Sequence, residues 1–206
     1  MSRAYSVKNI YDAKFDIMPF ENEWRDAIGC PQYSGTTIIM GPPKNGKTSF
    51  AMKWSKQLAR FGRVLYHPVE EKLSLSMKEQ LERVEMIDVG SKFIMTNGDD
   101  SVDELITRLD KHCSPNFIVI DSIQFWDLRW IDYKRLKQRF PNKRFTYVSH
   151  LKGNLPEGIA AERIWKDADS IFRVEGFKVF PTGRYGGGEP ITINERLANE
   201  YWGLSK

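Results

Sequence analysis

The amino-acid sequence predicts an α/β fold with a mainly parallel sheet flanked by helices, and with antiparallel strands toward the C-terminus. Three observations support this prediction. Short apolar runs alternate with segments of helical periodicity over about 110 residues, which is typical of consecutive βα units. The run at residues 117–120 is wholly apolar, as expected of a parallel strand covered on both faces. After residue 170 the chain contains short segments of β pattern.

The first elements are predicted from their apolar spacing. The first strand is apolar or β-branched throughout, which indicates a buried strand. In the helix after it, Phe50, Trp54 and Leu58 recur every four residues and define one apolar face. By the same criteria we predict strands at residues 37–40, 63–67 and 92–96, and helices at residues 48–60 and 73–84.

The second half of the chain continues the alternation and then changes character. An amphipathic helix, a buried strand, a basic helix and another strand are predicted at residues 102–111, 117–120, 133–140 and 145–149. The shorter segments that follow are predicted as strands added at one edge of the sheet, at residues 171–174, 178–180 and 191–193.

Length and composition indicate one globular domain with an extension. The 206 residues are 41% hydrophobic and 28% charged, which allows a sizeable core and excludes a disordered or fibrous chain. We expect residues 1–35 to be a lead-in packed on the core, and residues 36–206 to form the main domain. The net charge of +4 is compatible with a nucleic-acid partner but does not require one.

The cysteines and the hydropathy pattern predict a cytoplasmic protein. Cys30 and Cys113 are far apart and belong to no cluster of metal-ligand spacing, so neither a disulfide framework nor a zinc site is expected. No apolar run approaches the roughly 18 residues that a membrane span needs. The N-terminus has scattered charges and lacks the apolar stretch of a signal peptide.

Residues 41–49, GPPKNGKTS, match the phosphate-binding pattern G-x-x-x-x-G-K-[ST] between a predicted strand and a predicted helix. Glycines let successive N–H groups point at phosphate oxygens, and the helix N-terminus adds its positive dipole. The lysine supplies a charge for the β- and γ-phosphates. We therefore expect the phosphates of a nucleotide to be bound by Gly41, Pro42, Pro43, Lys44, Asn45, Gly46, Lys47, Thr48 and Ser49.

Carboxylates after two other strands complete the predicted site. Asp121 ends the apolar strand and, with the Thr48 hydroxyl, is expected to bind Mg²⁺. Glu70 and Glu71 follow the second strand, at the edge where parallel sheets bind ligands. Either glutamate could polarise a water in line with the γ-phosphate, and an acidic pair that only begins the next helix is the alternative.

Together these residues resemble the ATPase core of RecA-like P-loop NTPases. The EE pair in VLYHPVEE, the aspartate in FIVIDSIQ and the segments YVSHLKG, AERIWKDADSIFRVEG and GRYGG are similar to the RadA (Sms) group, with DnaB-type helicases and KaiC-type ATPases as neighbours. Short stand-alone ATPases of phages and mobile elements are also similar. The resemblance covers about residues 35–195 and implies a RecA-like fold.

The resemblance also implies roles for particular residues. It implies ATP hydrolysis in a homo-oligomer, either a ring or a filament, with Glu70 as the favoured catalytic base. His150 stands at the position of the γ-phosphate sensor, and Arg184 at that of a finger acting on a neighbouring subunit's nucleotide. The chain departs from RadA proteins in lacking their four-cysteine module and protease-like domain. The lysine of their lysine-x-arginine pattern is replaced by Thr182.

Two stretches are candidates for contact with single-stranded DNA. Residues 133–144 contain six basic residues and no acidic one, which would give salt-sensitive binding or else form a solvated helix face. Phe125, Trp126, Arg129 and Trp130 follow the strand that ends at Asp121 and could stack on bases. Burial of these aromatics against the lead-in or a neighbouring subunit is equally compatible. Residues 152–158 are predicted as a flexible loop after the next strand.

The sequence leaves two functions open. The first is an oligomeric ATPase that couples hydrolysis to DNA recombination, repair or replication. The second is a KaiC-like module that assembles with ATP and acts on a protein partner without DNA. A small P-loop nucleoside or nucleotide kinase is disfavoured, because the phosphate loop begins at Gly41 rather than near the N-terminus and no arginine-rich lid is evident.

Overall fold

A nine-stranded sheet organises residues 4–204, the part of the chain that the computed structural model describes. Its strands are β1 (Gly35–Gly41), β2 (Val64–Pro68), β3 (Phe93–Met95), β4 (Phe117–Asp121), β5 (Arg144–Lys152), β6 (Leu155–Pro156), β7 (Ser170–Glu175), β8 (Lys178–Gly183) and β9 (Ile191–Thr192). The helices are α1 (Val7–Tyr11), α2 (Asn22–Ile28), α3 (Lys47–Leu58), α4 (Leu75–Arg83), α5 (Val102–Leu109), α6 (Trp130–Arg139), α7 (Ile159–Asp167) and α8 (Glu195–Trp202), and a 3₁₀ helix spans Met86–Lys92.

The strand order β3-β2-β4-β5-β1-β7-β8-β9 explains where the site forms. In this order β3, β2, β4, β5, β1 and β7 pair in parallel with their neighbours. Strands β8 and β9 are added antiparallel at one end of the sheet. The predicted α/β fold is thereby confirmed, including the antiparallel strands toward the C-terminus. Because β1, β2, β4 and β5 are parallel, the residues that follow them meet at one edge of the sheet.

Each face of the sheet has its own apolar core. Strand residues alternate between the faces, so that Ile39 packs with α3 and α4 while Ile38 packs with α5, α6 and α7. On the first face Trp54 is fully buried and its indole N–H donates to Thr146 Oγ1 over 3.0 Å, which satisfies the polar group of a core side chain. The two cores hold the parallel strands, and hence their carboxyl ends, in register.

The N-terminal segment contributes to the first core only in part. Met18, Phe20 and Trp24 are buried, and the ring of Trp24 stacks on that of Trp54 with centroids 5.8 Å apart. By contrast, the apolar side chains of α1 are exposed. Division of the chain into a lead-in over residues 1–35 and a main domain over residues 36–206 stays a prediction.

The sequence did not predict every element. α7 and α8 were not predicted as helices, and residues 152–158, predicted as a loop, contain strand β6, which pairs with the end of β5. Both helices are short, with nine residues in α7 and eight in α8, so each offers only about two turns over which an apolar pattern can be recognised. Within residues 4–204, no helix has both the length and the apolarity to span a membrane.

Candidate phosphate-binding and catalytic site

The loop between β1 and α3 has the geometry of a phosphate cradle. Gly46 adopts a left-handed conformation with φ 97° immediately before Lys47 begins α3. A Cβ on Gly41 would lie 2.2 Å from the carbonyl oxygen of Val174, so only glycine fits there. The loop therefore curls back over the start of α3, where unpaired backbone N–H groups and the helix dipole favour an anion.

The turn between β7 and β8 braces this loop. The side-chain oxygen of Asn45 accepts a hydrogen bond from the Gly176 N–H over 2.7 Å, and its amide donates to the Pro43 carbonyl over 2.8 Å. Phe177, next in the turn, has its ring over Gly46. The phosphate loop is thus held by a contact between residues 131 positions apart.

Lys47 is the first residue of α3 and is almost fully buried. Its ammonium donates to the Pro42 carbonyl over 2.9 Å. Burial lowers the pKa of the Lys47 amine, and the negative charges of Asp121 and Glu70 oppose that shift. A polyanion entering the site would complete the coordination of a cation that is poorly solvated.

Asp121 ends β4 and is buried with two hydroxyl donors. The Tyr66 hydroxyl donates to Asp121 Oδ2 over 2.6 Å, and the Thr48 hydroxyl also hydrogen-bonds to this carboxylate. The pKa of Asp121 is raised to about 6, because burial and, to a smaller extent, the charges of Glu70 and Glu71 outweigh the two hydrogen bonds that lower it. A cation bound beside this buried carboxylate would strongly stabilise its ionised form.

The donor set around Asp121 fits Mg²⁺ bound together with a nucleotide. In the described part of the chain, His, Cys, Asp and Glu side chains form no group of three or more that could hold a metal alone. Mg²⁺ on a nucleotide needs only one or two protein oxygens, because phosphates and waters fill the other positions. The hydroxyl of Thr48 and the carboxylate of Asp121 provide such a pair.

Glu70 stands after β2 and faces two polar groups from neighbouring strands. The Ser122 hydroxyl donates to Glu70 Oε2 over 3.2 Å, and His150 Nε2 lies 3.3 Å from the same oxygen. The backbone N–H of Glu70 also donates to the Asp121 carbonyl over 3.1 Å. The carboxylate is thus held at the carboxyl edge of the sheet, yet remains partly exposed, as a base that must meet a water requires.

The carboxylate of Glu71 has other partners than that of Glu70. Its Oε2 accepts hydrogen bonds from the Gln80 amide and the Ser76 hydroxyl, each over 3.2 Å. The Gln80 carbonyl oxygen in turn accepts from the Ser49 hydroxyl over 3.2 Å. The two adjacent glutamates therefore have different surroundings.

One cavity of about 460 Å³ joins most of these residues. Its volume suits a small polar ligand. The side chains and backbone that line it belong to Pro43, Lys44, Gly46, Lys47, Thr48, Ser49, Glu70, Glu71, Gln80, His150 and Phe177. The sequence predicted all of these except Gln80 and Phe177.

Arg184 is not part of this cavity. β8 runs antiparallel to β7, so Gly183 pairs with Ser170 at the opposite edge of the sheet from the phosphate loop. There the Arg184 backbone N–H donates to the Asp169 carbonyl over 3.0 Å, and its guanidinium approaches the Asp167 carbonyl at 3.4 Å. Within one subunit, Arg184 therefore does not approach the phosphate site.

The basic run at residues 133–144 is largely paired inside the chain. Arg144 is fully buried against Asp169, and Lys143 donates to the hydroxyl of Ser114 and the carbonyl of Pro115. Three more of its cations form ion pairs with aspartates, namely Arg135 with Asp103, Lys137 with Asp167 and Arg139 with Asp110. Whether the run contacts DNA stays a prediction, but most of its charge already has a partner.

The aromatic residues after β4 divide into two kinds. Trp126 donates its indole N–H to the Asp100 carbonyl over 2.8 Å, and Trp130 stacks on Tyr133. Both pack against the second core rather than against the N-terminal segment. Phe125 is 59% exposed, with its ring centroid 6.1 Å from that of His150.

His150 also lines a second cavity, of about 590 Å³, to which the phosphate loop does not contribute. Exposed apolar side chains of Phe125 and Ile159 line it together with the acidic side chains of Asp127 and Glu157. Among the described residues, no lysine or arginine lines this cavity. His150 is thus shared by a polar cavity and an apolar, acidic one.

Residues that sequence reasoning missed contribute through tertiary contacts. Tyr66 lies within an apolar strand, where its hydroxyl is the feature that indicates a buried hydrogen-bond acceptor nearby. Gln80 and Phe177 gave no signal, because they come close to the loop only through the packing of α4 and of the β7–β8 turn.

Comparisons with known proteins support the fold. A scan against protein-family models and a search of the curated proteins find no match. Among solved structures, the chain is similar to the flagellar accessory protein FlaH from Methanocaldococcus jannaschii, with a TM-score of 0.61 and 13% identity over 88% of this chain and 96% of that one.

Two further structures show the same likeness. The KaiC-like protein PH0186 from Pyrococcus horikoshii OT3 has a TM-score of 0.62 and 16% identity, over 81% of this chain and 89% of that one. A third solved structure, itself an ATPase domain, has a TM-score of 0.55 and 13% identity, over 81% of this chain and 83% of that one. These likenesses show that the chain shares its α/β fold with these three structures.

Proposed function

We propose that this chain binds and hydrolyses ATP with Mg²⁺ as a RecA-like ATPase, and that it works in an oligomer in the cytoplasm. The observation that supports the enzymatic part best is the cavity in which Lys47, Thr48, Glu70 and His150 face one another. The two cysteines are free, which agrees with a reducing compartment.

In this proposal the chain's own residues divide the work of hydrolysis. The backbone N–H groups of residues 41–49 bind the phosphates, and Lys47 contacts the β- and γ-phosphates. Thr48 and Asp121 hold Mg²⁺, which neutralises charge on the phosphates when bound. Glu70 orients a water and accepts its proton as the water oxygen attacks the γ-phosphorus, and the bond to the bridging oxygen breaks to release ADP and phosphate.

His150 and Arg184 act on the γ-phosphate in the same proposal. His150 can hydrogen-bond to the γ-phosphate and to Glu70, so that it senses whether the phosphate is present. Arg184 serves a neighbouring subunit, since it lies far from the phosphate loop of its own chain and beside the paired residues 167–169. This requirement for a neighbour supports a homo-oligomer, either a ring or a filament.

Coupling of hydrolysis to DNA recombination, repair or replication is the leading cellular role. It is supported by the resemblance of the sequence motifs to RadA and DnaB proteins. The exposed ring of Phe125 beside His150 offers a place for an unpaired base to stack. Binding there would reach Glu70 through His150.

A KaiC-like module that acts on a protein partner is the second candidate. Two observations support this candidate and count against DNA contact at the two places they concern. Most of the basic run at residues 133–144 is already paired, and the cavity beyond His150 is lined by acidic and apolar side chains. Phosphate backbones avoid such a lining, whereas a protein segment with apolar and basic side chains fits it.

Steady-state ATP hydrolysis of the wild type and of Lys47→Ala tests these functions together. We expect Lys47-dependent turnover, which single-stranded DNA increases at low salt and less at high salt if DNA is the partner. Turnover that needs Lys47 but is indifferent to DNA would favour the protein-partner function. Equal turnover by wild type and Lys47→Ala would contradict ATP hydrolysis at this loop.

A further inference from the structure

The Glu71 side chain anchors a chain of hydrogen bonds that ends in the phosphate loop. Glu71 Oε2 accepts from the Gln80 amide, and Gln80 Oε1 accepts from the Ser49 hydroxyl, each over 3.2 Å. Gln80 is only 9% exposed, and it lines the phosphate cavity together with Ser49. This chain of hydrogen bonds therefore joins the segment that follows β2 to the first turn of α3 by way of α4.

The chemistry of these groups fixes the direction of every bond. An ionised carboxylate can only accept, so the Gln80 amide must turn its NH₂ group toward Glu71. Its carbonyl oxygen then faces Ser49 and can only accept, which orients the Ser49 hydroxyl. Glu71 thereby sets the orientation of an amide that could otherwise flip.

The start of α4 reinforces this arrangement. The Ser76 hydroxyl donates to the same oxygen of Glu71, and the Ser74 side chain caps α4 by accepting from the Met77 N–H over 3.1 Å. Because the first turn of α4 is bonded to Glu71 and α4 contacts the phosphate loop through Gln80, movement of one would disturb the other.

We propose that Glu71 and Gln80 are positioning residues for nucleotide binding, which hold Ser49 and with it the first turn of α3 in the phosphate-binding geometry. The inference rests on the proposed ATP site. It divides the acidic pair, because Glu70 acts on the attacking water while Glu71 acts only through Gln80. Loss of either positioning residue weakens ATP binding and leaves the rate of the chemical step nearly unchanged.

The test uses Gln80→Met, which keeps the length and the burial of the side chain while removing both hydrogen bonds. Calorimetry with MgATP and steady-state hydrolysis are measured on the wild type, Gln80→Met, Glu71→Ala and the double variant. We expect each single variant to raise Kd and KM for ATP by about tenfold with kcat within about twofold of the wild type. The double variant should be affected less than the sum of the two single variants, because both substitutions remove the bond between Gln80 and Glu71.

Glu79→Ala is the matched control, since Glu79 is on the same helix, exposed and paired with Arg83 rather than with the loop. It should bind ATP as the wild type does. Gln80→Met with wild-type Kd, or effects of Glu71→Ala and Gln80→Met that add in full, would overturn the inference while leaving the ATP site in place. A wild type that binds no MgATP would instead overturn the proposed function, and this inference with it.

Discussion

The side chains of Glu70 and His150 meet at 3.3 Å across 80 positions of sequence, from the ends of strands β2 and β5. β4 lies between these two strands in the sheet, and its next residue, Ser122, donates to the same oxygen of Glu70. Three strand ends thus supply one polar cluster beside the phosphate loop. A γ-phosphate in the cavity would lie within reach of Glu70 and His150, the proposed base and the proposed sensor.

This contact predicts that His150 affects hydrolysis more than binding. We expect His150→Phe, which keeps an aromatic ring beside Phe125, to slow ATP turnover by about 100-fold while MgATP still binds with near wild-type affinity. His112→Phe is the control, because His112 is exposed and does not line the cavity. A His150→Phe variant with wild-type kcat would contradict the sensor role.

The burial of Asp121 predicts that Asp121→Asn is more stable than the wild type but inactive. Burial raises its pKa to about 6 in the folded protein, above the value of 3.8 for a free aspartate. The stabilising contribution of the protonated form is therefore complete below about pH 4 and is lost as the pH rises through about 6. Asp121→Asn avoids that loss, and should raise the free energy of unfolding at pH 7.5 by up to about 3 kcal/mol.

Urea denaturation at several pH values measures this effect. The advantage of Asp121→Asn should shrink as the pH falls below 6, whereas Mg²⁺-dependent hydrolysis should be absent at every pH. Asp127→Asn, an exposed position shortly after the same strand, should change neither quantity. If Asp121→Asn were less stable than the wild type at pH 7.5, this result would contradict the expectation that the ionised Asp121 carboxylate destabilises the folded protein.

Arg184 predicts complementation between subunits. We expect Arg184→Ala to bind ATP normally but to lose turnover, since the arginine is proposed to act on a neighbour's nucleotide. The second variant, Lys47→Ala, keeps Arg184 but lacks the lysine of the phosphate loop. Mixing the two inactive variants should restore part of the activity, because some interfaces then combine an intact loop with an intact arginine.

The mixing experiment also separates a trans role from a structural one. Activity that does not return on mixing, with both variants folded and assembled, would contradict action across an interface. Arg184→Ala hydrolysing at the wild-type rate would remove the residue from the mechanism altogether.

The buried pair of Arg144 and Asp169 predicts a large loss of stability. Arg144 is fully buried, and its guanidinium donates to Asp169 Oδ1 over 2.8 Å and to Thr37 Oγ1 over 2.9 Å. Arg144→Met leaves the Asp169 carboxylate buried without its cation, so the free energy of unfolding should fall by about 3–5 kcal/mol. Urea denaturation of the variant measures this change.

Arg139→Met is the matched comparison, because Arg139 pairs with Asp110 on the surface. Its effect should stay within about 1 kcal/mol. Equal effects of the two substitutions would mean that the burial of Arg144 adds nothing. The comparison also bears on DNA binding, since a cation that the fold needs inside is not available to a phosphate backbone.

The strands and helices with a clear local apolar pattern could be predicted from the sequence. Strand β4 is recognisable because a wholly apolar run ending in an aspartate is rare outside a doubly covered sheet. Helix α3 follows a phosphate loop with clear apolar spacing. Because parallel strands end at one edge, the placement of Asp121 and Glu70 near the loop followed from strand boundaries. The placement of His150 was implied by the resemblance to RecA-like ATPases.

What the sequence did not reveal depends on packing between distant elements. Gln80 is polar on an amphipathic helix, and only the docking of α4 on α3 brings it to Ser49. The basic run at residues 133–144 suggested an exposed charged surface, yet its partners are aspartates scattered between positions 103 and 169. Such pairings cannot be inferred from spacing, because each requires the sheet order to be known.

The most direct test of the account compares Glu70→Gln with Glu71→Gln in ATP binding and in single-turnover hydrolysis. If Glu70 is the base at the phosphate loop, Glu70→Gln binds MgATP as the wild type does and hydrolyses it at least about 100-fold more slowly, while Glu71→Gln keeps a single-turnover rate close to the wild type at saturating ATP. A Glu70→Gln variant that hydrolyses ATP at the wild-type rate would contradict the account.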